Sequence, residues 1–368
     1  MMETQHSAPT IVFDGQAHLR RVGAMVRVLK ACEAQFPHRK TLPFLFLLTF
    51  GWILAACGTK TAGWTMLQPA TTPPASGGSA VAYLENMGTA VLFGGATNQV
   101  WLDETWIWDG KDWSQAAPSH HPSARAKPIM VYDPSRNKVV LFGGVMHQTL
   151  FNDTWEWDGQ DWRQIESEHR PAPRCCHAMA YDPVQKKVLL YGGHDPIRNV
   201  FFSDAWEWDG TDWTEVTCCG LPLMSGHAMI HLPDVNEVIS VQTSELGTWV
   251  WDGTLWQDAQ MESPPSRSEG RLAYATSHDW AVFFGGSRNK QLLNDLWILD
   301  GEQWIQMNFT VSPPPRFGHV LFYDSKRNSV LLFGGYNDQG IVLGDMWELT
   351  LPDNMSGFVQ ASTPSPSP

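Results

Sequence analysis

A pair of adjacent glycines follows an apolar run five times in this chain, and the spacing of these pairs restricts the folds that the chain can adopt. The pairs begin at Gly94, Gly143, Gly192, Gly285 and Gly334. Three intervals are 49 residues and one is 93, which is nearly two periods. Tryptophans recur at a similar period, at Trp106, Trp155, Trp206, Trp249, Trp297 and Trp347. These periods indicate six repeats, the fourth of which has lost its glycine pair near Val241.

Each repeat has the pattern of four short strands. In the third repeat, residues 177–193 read HAMAYDPVQKKVLLYGG. This is an alternating segment, an Asp-Pro turn and a continuous apolar run that predicts a strand buried on both faces. Ala205–Trp208 and Trp213–Val216 predict the third and fourth strands. Four antiparallel strands cannot bury both faces alone, so we expect six sheets stacked radially, each covering its neighbour.

These features resemble the kelch repeat, in which an apolar strand ends in Gly-Gly and a variable loop precedes a strand that carries tryptophan. The resemblance implies an all-β, six-bladed β-propeller of four-stranded blades over residues 57–352. WD-type propellers are the competing family, but their Gly-His and Trp-Asp signs do not occupy equivalent positions here.

The sixth repeat lacks a fourth strand after Trp347, whereas Gly63–Leu67 reads like one. We therefore predict that Trp64–Leu67 pairs onto the sheet of residues 317–350. Sharing one sheet between both ends of the chain would leave the ring without a free edge.

Residues 1–56 have the pattern of a secretory signal, with basic residues before the apolar run 41–56. Met25 is a plausible true start of that segment. The ending Leu54-Ala55-Ala56-Cys57 resembles the lipobox of bacterial lipoproteins, which implies a lipid on Cys57 and anchoring at the outer face of a bacterial membrane. The alternatives are a plain signal with a chance cysteine, or an uncleaved anchor. At the other end, residues 353–368 are rich in Ser and Pro, so we expect a disordered tail.

The charge balance excludes some classes of partner. The chain has 25 Lys and Arg against 38 Asp and Glu, and 19 against 35 from Cys57 onward. Nucleic acid requires a basic face, so we expect no nucleic-acid partner. A basic membrane-binding surface is excluded on the same ground, which leaves the lipid as the only membrane contact. We expect a monomer.

Arginines recur seven residues before the tyrosine of the first strand, at Arg125, Arg174, Arg267 and Arg316, while blades one and four have Ser76 and Met224 there. Four guanidinium groups near the channel mouth suit a carboxylate or another anion. The alternative is structural, because in five blades an acidic residue lies two before the first tryptophan, at Glu104, Asp153, Asp204, Asp295 and Asp345. Pairs between these residues and the arginines would bind the blades together.

Histidines share one place in the first strand, at His177, His227 and His319, where the other blades have Ser79, Pro128 and Gly270. Three imidazoles facing one axis can bind a metal. The preferred interpretation is that they are repeat histidines bonded to neighbouring backbone, and we expect no metal and no cofactor.

Two adjacent cysteine pairs flank the third repeat, Cys175-Cys176 and Cys218-Cys219. An exported protein permits disulfides. The four cysteines allow cross-pairing, two vicinal disulfides or a four-thiolate metal site, and the sequence does not choose among them. A structural or strained disulfide is preferred over a redox centre.

The catalytic patterns Gly-x-Ser-x-Gly and His-Glu-x-x-His are absent, as are phosphate-cradling and EF-hand loops. Galactose oxidase shares the kelch scaffold, but its copper centre needs an added domain. Sialic-acid mutarotases, which are exported six-bladed kelch proteins, resemble this chain more closely in size. They imply the enzyme alternative, a sugar-modifying enzyme that uses the arginines at the channel mouth.

The function that we expect is non-catalytic binding of a protein or a glycan through the loops after Gly-Gly and between blades. Four aromatic residues of these loops suit an interface: Trp101, Phe151, Phe201 and Phe202. The alternative for the phenylalanines is packing against the next blade. Of the 19 tryptophans, 15 occupy third- and fourth-strand positions, so most indicate architecture rather than a ligand.

Overall fold

The computed structural model describes residues 61–216, 223–241 and 247–355, which lie within the compact unit Thr59–Pro368. The regular elements of these ranges are all β-strands. Within them, no helix is long and apolar enough to cross a membrane. Cys57, Cys218 and Cys219, the signal-like segment and most of the Ser/Pro-rich end lie outside the described residues.

Six four-stranded antiparallel sheets and two small hairpins make up the fold. The first fourteen strands are β1 (Gly63–Leu67), β2 (Ala80–Leu84), β3 (Thr89–Phe93), β4 (Thr105–Trp108), β5 (Trp113–Gln115), β6 (Ile129–Asp133), β7 (Lys138–Phe142), β8 (Val145–Met146), β9 (Thr149–Leu150), β10 (Thr154–Trp157), β11 (Trp162–Ile165), β12 (Ala178–Asp182), β13 (Lys187–Tyr191) and β14 (His194–Asp195). The others are β15 (Val200–Phe201), β16 (Ala205–Trp208), β17 (Trp213–Val216), β18 (Ala228–Leu232), β19 (Glu237–Val241), β20 (Thr248–Trp251), β21 (Trp256–Asp258), β22 (Arg271–Ala275), β23 (Trp280–Arg288), β24 (Gln291–Leu299), β25 (Trp304–Met307), β26 (Val320–Asp324), β27 (Ser329–Phe333) and β28 (Met346–Thr350).

In blades one to five the strands follow chain order outward from the axis, as in β2-β3-β4-β5 of blade one. Neighbouring inner strands contact one another around the ring, and β26 of blade six contacts β2 of blade one. The predicted all-β, six-bladed propeller is therefore confirmed. In blade six the outermost strand is β1, which pairs antiparallel with β28 from Gly63 opposite Thr350 to Leu67 opposite Met346.

The hydrophobic core consists of six layers, each lying between two neighbouring blades. The second strand of each blade is buried on both faces, which explains its continuous apolar sequence. Indoles of the third and fourth strands fill the outer part of these layers. In blade three Trp208 and Trp213 pack with ring centroids 5.3 Å apart, and the Trp213 indole donates to Thr154 of blade two. Repeated tryptophans thus join blades.

The topology creates two different ends of the propeller. The turn face carries the first hairpin of each blade and the Asp-Gly turn before its fourth strand. The loop face carries the segments that follow Gly-Gly and the connections between blades. The chain enters β1 at the turn face. Gly63 lies opposite Thr350, the last residue of β28, and β28 is the third strand of blade six, which ends at the turn face.

Candidate functional site

The recurring arginines are buried and fully engaged in the scaffold. Each is at most 3% exposed. Arg174 makes a bidentate pair with Asp204, at 2.6 and 2.7 Å, and also donates to the carbonyl oxygens of Ala172 and Gly192. The same pattern joins Arg125 to Asp153, Arg267 to Asp295 and Arg316 to Asp345.

These pairs join blades because the backbone and the side chain of each arginine have different partners. The side chain of Arg174 binds Asp204 of its own blade. Its backbone N–H donates to Phe151, and its carbonyl accepts from Gly144, both in blade two. The structure therefore favours the structural alternative over ligand binding for Arg125, Arg174, Arg267 and Arg316, since burial leaves their guanidinium groups without an accessible surface.

Two of the loop phenylalanines serve the same scaffold. The Arg125 guanidinium lies 3.8 Å from the ring centroid of Phe151, and that of Arg174 lies 4.0 Å from Phe202. Such stacking is a favourable cation–π contact. Phe151 and Phe202 are therefore partly buried against arginines rather than displayed, whereas Phe201 remains exposed.

The three repeated histidines are buried against aromatic rings of the preceding blade. His177, His227 and His319 pack edge-on against Phe142, Tyr191 and Phe284 respectively. Burial lowers the pKa of each, to about 3 for His227, so the imidazoles are neutral. In the described part of the chain, their nitrogens are not among the ligand atoms that come together as a metal site would require.

An axial channel runs between the inner strands and is divided into two chambers. The chamber at the loop face has a volume of about 120 Å³ and is bordered by His177, His227 and Arg271. The larger chamber, of about 480 Å³, lies toward the turn face. Five apolar side chains line both chambers and lie where the two meet: Met130, Met179, Met229, Leu272 and Leu321.

The turn-face chamber is bordered by a ring of tyrosine side chains. In the sequence these tyrosines served only to locate the recurring arginines, and no functional role was predicted for them. The members of this tyrosine ring are Tyr83, Tyr132, Tyr181, Tyr274 and Tyr323, with His231 in blade four. Most of the hydroxyls donate to the preceding blade, as Tyr83 does to Asp324 and Tyr323 to Ser277. Burial raises the pKa of Tyr83 to about 12, so it stays protonated at neutral pH.

Six residues with left-handed backbone surround the loop-face end of the channel, one from each blade. We call this set the mouth ring, and its φ angles lie between 57° and 73°. Hydrogen bonds join neighbours directly, for example Lys127 N–H to Gly78 at 2.6 Å and Gly226 N–H to Cys176 at 2.7 Å. In chain order the members are Gly78, Lys127, Cys176, Gly226, Glu269 and Gly318.

Left-handed backbone favours glycine, so the three exceptions in the mouth ring are informative. Lys127 of blade two and Glu269 of blade five lie on opposite sides of the axis, and their side chains form an ion pair of 2.6 Å across it. Burial disfavours both charges, but their mutual attraction prevails. It raises the pKa of Lys127 and lowers that of Glu269. The mouth is therefore charged, and its charges lie at positions where three other blades have glycine.

The third exception, Cys176, lies beside a second thiol and an imidazole. Cys175 and Cys176 are free thiols whose sulphurs are 3.3 Å apart. Together with His194 they form the group of potential ligand atoms that lies within 4.8 Å in the described residues. The shared hydrogen bond lowers the pKa of Cys176, helped by Lys127 and His194, and raises that of Cys175, helped by burial. Pairing with Cys218 or Cys219 falls outside the described residues.

The loop face is also rich in exposed apolar side chains. Five of them, each between 43% and 54% exposed, lie in the segments after Gly-Gly of blades one, three and six: Val100, Ile197, Val200, Phe201 and Ile341. Trp101 is partly buried and packs edge-on against His147 of blade two. The blade-one and blade-six segments are tied together by Asn98, which donates to the Gly340 carbonyl.

Comparison with known proteins agrees with this architecture. Residues 53–239, about half of the chain, match the family described as the KLHDC2/KLHL20/DRC7 Kelch-repeats domain. The solved structure of YjhT superposes with a TM-score of 0.58 at 16% identity, covering 76% of this chain and 96% of that one, which shows a common fold. Adagio protein 3 of Arabidopsis thaliana is 29% identical over 100 residues, which are 26% of this chain and 16% of that protein. The match therefore spans about one sixth of the length of Adagio protein 3. On the family match and its six blades, this chain belongs to the kelch-repeat family.

Proposed function

We propose that this propeller is a non-catalytic binding module that holds a segment of a partner protein on its loop face. Kelch propellers commonly serve as binding modules. The observation that carries the proposal is the set of exposed apolar side chains in the loop-face segments of blades one, three and six: Val100, Ile197, Val200, Phe201 and Ile341. Exposed apolar side chains on one face are typical of interaction surfaces.

The character of these side chains favours a protein over a glycan. Four of the five are aliphatic, and Phe201 is the aromatic exception. Sugar rings stack on aromatic faces and need many polar partners, whereas aliphatic side chains pack against the aliphatic groups of a peptide. Trp101 packs against His147 and directly follows Val100, a member of this surface, in the chain.

The enzyme alternative now requires cations other than the recurring arginines. A sugar-modifying enzyme of the mutarotase type was expected to use the recurring arginines, and these are buried in pairs. Two other cations lie near the mouth, Lys127 and Arg271, and both interact with Glu269. A sugar carboxylate would have to bind there, and acceleration of sugar anomer exchange, followed by NMR, would support this alternative.

The location that we propose is the outer face of a bacterial membrane, with a lipid on Cys57 as the anchor. The support is the signal-like sequence before Cys57 and the lipobox resemblance. With the chain entering at the turn face, the loop face would point away from the membrane. Labelling of the full chain with a radioactive fatty acid, lost in Cys57→Ala, is the expected result. Equal labelling of that variant would contradict it.

The binding proposal is tested by photo-crosslinking from matched positions. A benzophenone side chain replaces Phe201 on the loop face or, as the control, the similarly exposed Val184 on the turn face. We expect position 201, and not 184, to crosslink one partner protein in the native cell. Ile197→Ser should then weaken binding of that purified partner about tenfold, and Val184→Ser should not. Equal crosslinking from both faces, or binding to a glycan array without any protein partner, would reject the proposal.

A further inference from the structure

We propose that Cys175, Cys176 and His194 bind one thiophilic d¹⁰ cation, Cu(I) or Zn(II), at the loop face of blade three. The three side chains place two sulphurs and one imidazole nitrogen within 4.8 Å of one another. This site does not depend on a partner protein, so it stands or falls separately from the binding function.

The backbone brings the ligands together before any ion arrives. Cys175 and His194 are an antiparallel bridge pair that exchange both backbone hydrogen bonds, at 3.1 and 3.0 Å. Side chains of such a pair project from the same face of the sheet. Equivalent bridges recur in other blades, with the pairs Gly77–Ala96, Ala126–Val145, Ser268–Ser287 and Phe317–Tyr336. Among these five described bridges, blade three is the one that carries metal-ligating side chains.

The left-handed conformation of Cys176 adds the second thiol. In an extended strand, the side chains of successive residues point to opposite faces. With φ at 59°, Cys176 departs from that alternation, and its sulphur lies 3.3 Å from that of Cys175. In this group both thiols are buried and His194 is partly exposed, so an ion would reach the pair past the imidazole.

The imidazole of His194 is held on two sides. Its Nδ1 lies 2.7 Å from the hydroxyl oxygen of Ser225, which leaves Nε2 for an ion. Its ring stacks on Phe201, with the centroids 5.1 Å apart and the planes 14° from parallel. A second hydrogen bond that fixes the tautomer and the ring orientation is typical of histidines that ligate metals.

The ligand set selects the class of ion. Two thiolates and one imidazole suit Zn(II) and Cu(I), whereas Mg²⁺ and Ca²⁺ require oxygen ligands. The ammonium group of Lys127 interacts electrostatically with both sulphurs and offsets part of the thiolate charge. Three protein ligands leave a fourth position open on Zn(II), and they satisfy a trigonal Cu(I).

The test uses the full chain, reduced, freed of metal and titrated with Cu(I) or Zn(II) against a chromophoric chelator. We expect one equivalent to bind, with X-ray absorption showing two sulphurs at about 2.3 Å. Cys175→Ser/Cys176→Ser should reduce the affinity at least about 100-fold, and Ser225→Ala about 10- to 100-fold. His194→Asn provides a second ligand variant, and thermal melting verifies that each variant is folded.

Cys218→Ser/Cys219→Ser is the matched control, because it removes the other adjacent thiols. Affinity that is retained in this control and lost in the ligand variants supports the site. Three results would overturn it. These are the absence of a bound ion when thiol titration shows Cys175 and Cys176 reduced, affinity unchanged in Cys175→Ser/Cys176→Ser and His194→Asn, and loss confined to the control.

Discussion

The two ends of the axial channel are built from the same six strands, but they differ in how closely they follow the repeat. At the turn face, five blades supply tyrosine, and several of the hydroxyls bond to the neighbouring blade in the same way. At the loop face, the mouth ring has glycine in three blades and Lys127, Cys176 and Glu269 in the others. The repeated end bonds blade to blade, and the end that departs from the repeat holds an ion pair and a thiol.

Removal of residues 58–68 tests the scaffold with the largest expected effect. This deletion eliminates β1 and the buried Trp64, and it exposes the edge of blade six. Loss of a buried tryptophan alone costs about 3–5 kcal/mol, so we expect the melting temperature to fall by about 10 °C or more. Removal of residues 356–368 is the control and should leave the melt unchanged. An unchanged melt of the first variant would show that β1 does not hold the ring closed.

Arg174→Ala tests the buried arginine–aspartate pairs, which are part of neither the tyrosine ring nor the mouth ring. It leaves Asp204 without its bidentate partner, so we expect a loss of about 3 kcal/mol in the free energy of unfolding, measured with urea. Arg198→Ala, which alters an exposed arginine of the same blade, should change stability little. A stable Arg174 variant that loses partner binding would instead restore a ligand role for this residue.

Glu269→Gln tests the charged mouth through its pH dependence. The pKa of Glu269 is lowered in the folded chain, so the ion pair stabilises fully above the ordinary value of 4.5 and less as pH falls through the folded value. We expect the variant to be about 1–2 kcal/mol less stable at pH 7, with the difference shrinking below pH 4. Urea unfolding at both pH values measures this, with the exposed Glu215→Gln as control. A pH-independent difference would indicate that the pair's charge is not what stabilises the mouth.

Tyr323→Phe tests the tyrosine ring at the turn face, and we expect it to have the smallest effect on stability. It removes a hydroxyl that bonds to Ser277 and Asn328, so we expect a loss of about 1 kcal/mol. Binding of a partner at the loop face should not change, because Tyr323 borders the turn-face chamber and does not line the loop-face chamber. Weaker partner binding in this variant, at unchanged stability, would erase the distinction between the two ends.

The strands and their packing follow the repeat, and they could be predicted from the sequence. The roles of side chains at positions that differ between blades could not. The predicted strands Ala205–Trp208 and Trp213–Val216 agree with the structure to the residue. Period and apolar pattern are enough for this, because every blade packs by the same rule. The role of Phe202 could not be predicted, since a loop aromatic gives no sign that an arginine lies beneath it.

The grouping of His194 with two cysteines was missed for a topological reason. The residues are separated by a complete hairpin, and only the bridge at its open end brings them together. A usable signal did exist at Cys176. Its place, two residues after the position of the repeating arginine, is glycine in blades one, four and six, so a side chain there marks backbone that is kept left-handed despite its cost.

The hydrogen bonds of the mouth ring have a mechanical consequence. Four of the six junctions between blades are spanned there by a direct backbone bond from one ring member to the next. These bonds join blades six, one and two into one arc and blades three, four and five into another, and the ion pair of Lys127 with Glu269 links the two arcs across the axis. A force that moves one blade outward at the loop face must therefore stretch bonds to its neighbours in the same arc. The mouth ring thus restrains the inner side of the propeller, while the pairing of β1 with β28 restrains its outer side.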